Sequence, residues 1–322
     1  MNINLECPLV DFDIVDYPMI MATFMSKSGN KVGGAFMIDT ASRHNIMNET
    51  IIGILQENCL QYGGTMKLTS FSGDGIQGKE VHLDFCIGEN QFKERFYAAQ
   101  GLSFDSVFGE HVVLGILGVE FLVKYGLALD FENRTLHASS MIGKKIELSD
   151  YSFFFPQEYG FSKYGLPVVG MVKNDKEYVC LVDSGSNLNT TTNYVLYDGK
   201  LTCKHTGMRS SLTSVAGTKI TDLMDVNFDL LSIGDKTGEV KTNNYSTEFQ
   251  VINNSKYIIE GTKDIPPVSA IIGAEFLLEN KWVIDFSSGA VYSAKKDKNE
   301  GKIFNILQNG TRNEKKTLNL YR

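Results

Sequence analysis

The chain has 322 residues, 43% of them apolar and 21% charged, and a net charge of −7 at neutral pH. That is enough length for two ordinary domains with full cores, in the composition of a soluble globular protein. The acidic balance argues against a general nucleic-acid binder, and no apolar run reaches the ~18 residues of a membrane-spanning helix. Five cysteines (Cys7, Cys59, Cys86, Cys180 and Cys203) contain no CxxC pair, which points to buried, reduced thiols rather than a disulfide framework or a zinc site.

The N-terminus, MNINLECPLVDFDIVD, has acids where a secretory signal would have a basic region followed by an apolar core, so a cytoplasmic location is expected. Next, MIMATFMSKSGNKVGGAFMID reads as strand, turn at Ser28-Gly29-Asn30, and strand ending at Asp39. A short helix is expected near ETIIGILQENC, where apolar residues recur at three and four. KEVHLDFCI places Val81, Leu83, Phe85 and Ile87 at period two, the mark of a half-buried strand. Just before it, GDGIQGKE satisfies both G-x-G-x-x-G and G-x-x-x-x-G-K. A strand rather than a helix follows, and Glu80 stands where a phosphate loop needs Ser or Thr, so a hairpin is the expectation. LALDFENRTLHA is a hairpin around an Asn-containing turn.

From about residue 148 the plan starts again. PVVGMVKNDKEYVCLVD is strand, turn at Asn174-Asp175, and strand ending at Asp183. AFMIDTASRHNIM lies over VCLVDSGSNLNTT with Asp39 on Asp183, and GVEFLVKYGLALDF over GAEFLLENKWVIDF with six matches in fourteen. Chance would give roughly one. From each aspartate to the glycine of a similar tetrapeptide, SFSG or SVAG, is 34 residues (73 − 39 and 217 − 183). The offset between copies is 144 there and 155 at the later block, so 11 inserted residues fall between 217 and 273, most simply in the polar stretch GDKTGEVKTNNYS. The chain is a tandem duplication. Its expected parts are an N-terminal lobe 1–147, a C-terminal lobe 148–296 and a basic tail 297–322. Residues 295–322 carry eight Lys/Arg against three Asp/Glu, read as a solvated tail.

Asp130 and Asp285 each precede a hairpin turn after an apolar strand, which suits turn capping. Glu120 and Glu275 follow an apolar-apolar-Gly element and suit the first turn of a short helix. His44, His82, His111, His137 and His205 show no ligand spacing, so no metal is expected.

Each copy thus carries an Asp-Thr/Ser-Gly-type loop after an apolar strand (Asp39-Thr40-Ala41-Ser42 and Asp183-Ser184-Gly185-Ser186). A hairpin turn about thirty residues on follows (Phe71-Ser72-Gly73 and Val215-Ala216-Gly217), then Ile116-Leu117-Gly118 or Ile271-Ile272-Gly273. This order, twice over, resembles the retropepsin-like aspartic proteases over nearly all of both lobes. The resemblance implies an all-β fold of two tandem acid-protease barrels related by a pseudo-two-fold axis. It also implies an endopeptidase working as a monomer on a peptide or protein, without cofactor, metal, membrane or nucleic acid.

In that reading Asp39 and Asp183 are the catalytic pair. Two carboxylates about 3 Å apart cannot both ionise cheaply, so they share a proton and supply base and acid together. Thr40 and Ser184 bond across the lobe junction, and Ser42 and Ser186 are expected to donate to the carboxylates and lower the pair's titration. Residues 71–73 and 215–217 are flaps over apolar subsites. Ala41 departs from the family's glycine, which keeps a second reading open: a member of the same fold that binds peptides or a protein without cleaving them.

Overall fold

The computed structural model describes residues 5–10, 17–25, 29–53, 61–69, 75–99, 112–145, 151–154, 165–174, 176–214, 217–233, 240–253, 255–261 and 267–294. The basic tail lies outside them. The first copy contributes β1 (Glu6–Pro8), β2 (Met19–Met25), β3 (Lys31–Ile38), β4 (Ile46–Asn48), β5 (Gln61–Thr69), β6 (Gly75–Ile87), β7 (Asn90–Ala99), β8 (Val113–Leu117), β9 (Leu127–Asp130) and β10 (Thr135–Ala138). The second contributes β11 (Tyr151–Phe154), β12 (Val168–Lys173), β13 (Lys176–Asp183), β14 (Asn189–Thr192), β15 (Thr202–Ser214), β16 (Gly217–Ile233), β17 (Val240–Ile252), β18 (Ala270–Gly273), β19 (Trp282–Asp285) and β20 (Ala290–Ala294). Strand n of the first copy corresponds to strand n + 10 of the second.

Each copy closes a six-stranded barrel. The first runs β2-β3-β8-β4-β7-β6 and returns to β2 through Thr23 opposite Cys86. The second runs β12-β13-β18-β14-β17-β16 and returns through Met171 and Val172 opposite Leu230 and Asp229. Alternation explains the walls: Val81, Leu83, Phe85 and Ile87 of β6 are all buried, as the period of two requires. They meet an aromatic cluster in which Phe36 stacks on Phe96 at 5.4 Å and crosses Phe85 edge-on at 5.5 Å. The second barrel is filled by Phe228, Phe249, Phe276 and Trp282. Burial of each such ring contributes about 1.5–3 kcal/mol.

The lobes share a six-stranded antiparallel floor, β1-β10-β9-β19-β20-β11. At its centre Val283, Ile284 and Asp285 face Asp130, Leu129 and Ala128. Two further bonds mirror each other, Phe131 N–H to Trp282 O and Phe286 N–H to Leu127 O, both at 2.9 Å. The pseudo-two-fold axis therefore passes between Leu129 and Ile284. A duplicated sequence can pair with itself in this way because the same edge occurs twice.

The insertion falls where the offsets put it. Gly78 pairs with Ala99 across β6 and β7, whereas Asp222 pairs with Val251 across β16 and β17. The second hairpin is longer by eight of the eleven residues (251 − 222 against 99 − 78). The stretch GIQGKE belongs to strand β6, with no helix after it. Asp130 accepts from Asn133 N–H and Asn133 Nδ2 at 2.8 Å, and Asp285 from Ser287 N–H at 2.9 Å and Ser288 Oγ at 2.6 Å, so both cap their turns. Cys7, Cys86, Cys180 and Cys203 are free; Cys180 is buried, but Cys203 is exposed rather than interior.

Candidate active site

Both aspartates lie at matching places. Asp39 directly follows β3, whose Ile38 runs parallel to Leu117 of β8; Asp183 ends β13 opposite Gly273 of β18. The loops after them are pinned by mirrored bonds. Asn45 Oδ1 accepts from Gly118 N–H at 3.0 Å, and Asn189 Oδ1 from Gly273 N–H at 2.9 Å. Ser42 O accepts from Val119 N–H at 2.8 Å, and Ser186 O from Ala274 N–H at 2.6 Å. The closeness explains the glycines. Neither Gly118 (φ −93°) nor Gly273 (φ −92°) needs a left-handed backbone. A Cβ would instead stand 2.5 Å from His44 O in one lobe and 2.7 Å from Leu188 O in the other.

Across the junction the two loops grip each other. Thr40 Oγ1 donates to Val182 O at 2.6 Å and accepts from Ser184 N–H at 2.9 Å. Ser184 Oγ donates to Ile38 O at 2.7 Å and accepts from Thr40 N–H at 3.0 Å. Thr40 and Ser184 are fully buried, so these four bonds form without competing water. Each aspartate stands one residue before this interlock. Asp39 Oδ1 accepts from Ala41 N–H at 2.9 Å and Ser42 N–H at 3.0 Å; Asp183 Oδ1 accepts from Gly185 N–H at 2.9 Å. The environments differ: Asp39 is half-buried and Asp183 fully buried.

Ala41 keeps the backbone donor that a glycine would supply. Among the described residues the non-glycine positions with positive φ are Arg134, Asn174, Lys200 and Lys281; Ala41 is not one of them, so its methyl costs no backbone strain and packs into the core. Ser42 and Ser186 do not act as expected. Their hydroxyls donate along their own loops, to His44 O and Leu188 O, both at 2.9 Å. A hydroxyl has one proton to give, and the loop carbonyl takes it instead of the carboxylate.

The segments expected as flaps lie on the hairpins β5-β6 and β15-β16. Their tips, with Phe71, Ser72, Gly73, Val215 and Ala216, lie outside the described residues; Gly217 opens β16 opposite Ser214. Glu120 and Glu275 each lie in the first turn of a short helix, Val119–Tyr125 and Ala274–Glu279. Glu120 also bonds His44 Nδ1 at 3.0 Å and Arg95 Nη2 at 2.5 Å. Burial pushes its carboxyl up, but the His44 hydrogen bond and the Arg95 charge outweigh that and hold it below the usual range. Among the described residues no group of His, Cys, Asp or Glu has metal-binding geometry, and no helix is long and apolar enough to cross a membrane.

Asn45 and Asn189 are the loop-pinning positions that motif reading passed over, although each stands six residues after its aspartate in the aligned copies. That match was the available signal.

No family model matches the chain, and no curated protein matches it in sequence. Among solved structures it is similar to an aspartic proteinase from Irpex lacteus, with a TM-score of 0.53 and 12% identity over 92% of this chain and 98% of that one. It is also similar to the Basic 7S globulin from soybean, with a TM-score of 0.50 and 10% identity over 91% of this chain and 95% of that one. The chain has the two-lobed, pepsin-like fold of aspartic proteases.

Proposed function

We propose that the chain is an aspartic endopeptidase in which Asp39 and Asp183 jointly activate water against a peptide bond. The observation that carries this reading is the reciprocal grip of Thr40 and Ser184. A surface turn has no need of four fully buried hydrogen bonds to a second copy of itself, whereas a carboxylate pair does, because its chemistry depends on holding two like charges together. The pair would hold one proton between them, and its titration belongs to both groups. One carboxylate takes the proton from water while the other protonates the scissile carbonyl oxygen. The flap hairpins would hold the substrate as an extended strand. Both lobes lie in one chain, so a monomer supplies both acids.

A second reading, a peptide- or protein-binding member of the fold without catalysis, is favoured by Ala41. There the aligned copy has Gly185, and a non-catalytic loop tolerates the added methyl freely. The test is incubation with a diverse peptide mixture from pH 3 to pH 8, beside Asp39→Asn and Asp183→Asn. Cleavage by the wild-type chain and none by either variant is expected. Peptide capture without cleavage at any pH establishes the binding reading, and cleavage that persists in both variants removes the pair from the mechanism.

A further inference from the structure

The barrel walls that lead from the two aspartates to the flaps differ in chemistry at their outer ends. In the first lobe a hydrogen-bonded row crosses four strands, Met37-Ile116-Ile46-Tyr97. In the second the matching row is Leu181-Ile271-Thr190-Gln250. Side chains alternate along a strand, so the face carrying Met37 also carries Asp39, and the face carrying Leu181 also carries Asp183. Each row leads from its aspartate outward to its flap hairpin.

The outer halves of these rows diverge. Ile46 and Tyr97 pack with Leu68 and Ile76, a cross-strand pair of the first flap, and Tyr97 also meets the His44 ring edge-on at 5.3 Å. Thr190 and Gln250 instead meet Ser210 and Thr221, a cross-strand pair of the second flap. Gln250 Nε2 donates to Ser210 Oγ at 2.9 Å and to Ser211 O at 3.3 Å, Thr190 Oγ1 donates to Gln250 Oε1 at 3.5 Å, and Thr221 Oγ1 donates to Ser210 O at 3.2 Å. Thr190, Gln250, Ser210 and Thr221 are all buried. A buried amide must keep partners or cost stability. An apolar side chain wedged between this wall and its flap would strand Gln250; one bearing an amide or hydroxyl would replace what the flap gives up. The matching first-lobe residues, Ile46 and Tyr97, carry no side-chain amide to keep paired.

We propose that Thr190 and Gln250 are specificity-determining residues. The protein selects extended peptides with an apolar side chain toward the first lobe and an amide or hydroxyl side chain toward the second, at positions related by the pseudo-two-fold axis on either side of the scissile bond. The inference rests on the endopeptidase reading and names its substrate class. It departs from the expectation that both subsites are apolar, since the second offers hydrogen-bonding side chains.

The test is mass-spectrometric mapping of cleavage sites in a proteome-derived peptide library for wild type, Gln250→Leu and Thr190→Val. A parallel selection of bound peptides uses the Asp39→Asn variant. Wild type should enrich Asn, Gln, Ser or Thr on one side of the cut by about tenfold over apolar residues, and apolar residues on the other. Gln250→Leu should abolish the polar preference and leave the apolar side unchanged. Thr190→Val, nearly the same shape, weakens it if Gln250→Leu fails to fold. Equal apolar preference on both sides in wild type overturns the proposal while leaving the endopeptidase reading intact, as does an unaltered profile in a folded variant. Absence of cleavage with the same polar and apolar enrichment among bound peptides retains the two subsites and defeats catalysis. Absence of both cleavage and peptide capture defeats both.

Discussion

Replacing Thr40 by Val keeps the shape of a fully buried side chain and removes only its hydroxyl. The hydroxyl makes two bonds to the opposite lobe, to Val182 O at 2.6 Å and from Ser184 N–H at 2.9 Å. Both partners are main-chain groups with no water at hand, and each buried group left unpaired costs about 1–3 kcal/mol. The expected loss is therefore about 2–6 kcal/mol, a large share of the ~5–15 kcal/mol that keeps a typical domain folded. Thr191→Val is the control. It is equally buried but gives up a single long bond to Ser269 O at 3.3 Å, so about 1 kcal/mol is expected. Urea and thermal unfolding followed by tryptophan fluorescence read both, since Trp282 is buried within the interlobe floor. The Thr40→Val midpoint should fall by roughly 5 °C or more, with peptidase activity lost at temperatures where the protein is still folded. A Thr40→Val protein no less stable than Thr191→Val, with activity intact, would refute the claim that this grip sets the two aspartates.

Three further outcomes follow from the same geometry. Ser42→Ala with Ser186→Ala should lower stability and leave the pH–rate profile in place, because both hydroxyls serve loop carbonyls; an acid limb displaced by a full pH unit would contradict the assignment. Ala41→Gly should destabilise by about 0.5–1 kcal/mol through the freer unfolded chain and change turnover less than twofold, and a large gain in turnover would mean that the methyl obstructs the site. At Asp130, burial raises the carboxyl's pKa, but hydrogen bonds from His137 and Asn133 outweigh it and leave it below the ordinary value. A depressed carboxylate stabilises the fold above its unfolded pKa near ~3.9 and loses that contribution as pH falls through the lower folded value. Asp130→Asn should accordingly be markedly less stable than wild type at pH 7 and nearly equal to it near pH 2, as read by urea midpoints; a gap that stays constant with pH would refute the linkage.

Much of this protein was legible along the chain. The duplication, the two aspartates at matching positions and the hairpins after Asp130 and Asp285 all depend on residues close in sequence, whose spacing survives in the string of letters. The insertion was legible too, because an offset that changes from 144 to 155 can be counted. Local turn chemistry made Asp130 and Asp285 readable as caps without any tertiary information.

Other features belong to the folded chain alone. Which carbonyl receives the protons of Ser42 and Ser186 depends on how tightly each loop curls over Gly118 and Gly273. The four-bond grip joins residues 142 to 146 positions apart, and only closure of both barrels on a shared floor brings them within reach. The contrast between the Ile46 and Thr190 walls appears once strands distant in sequence lie side by side, since a subsite is a row across a sheet and not a segment of chain. Sequence determined the repeated parts, because their signals are local; tertiary structure decided what those parts hold, because a hydrogen bond depends on distance in space.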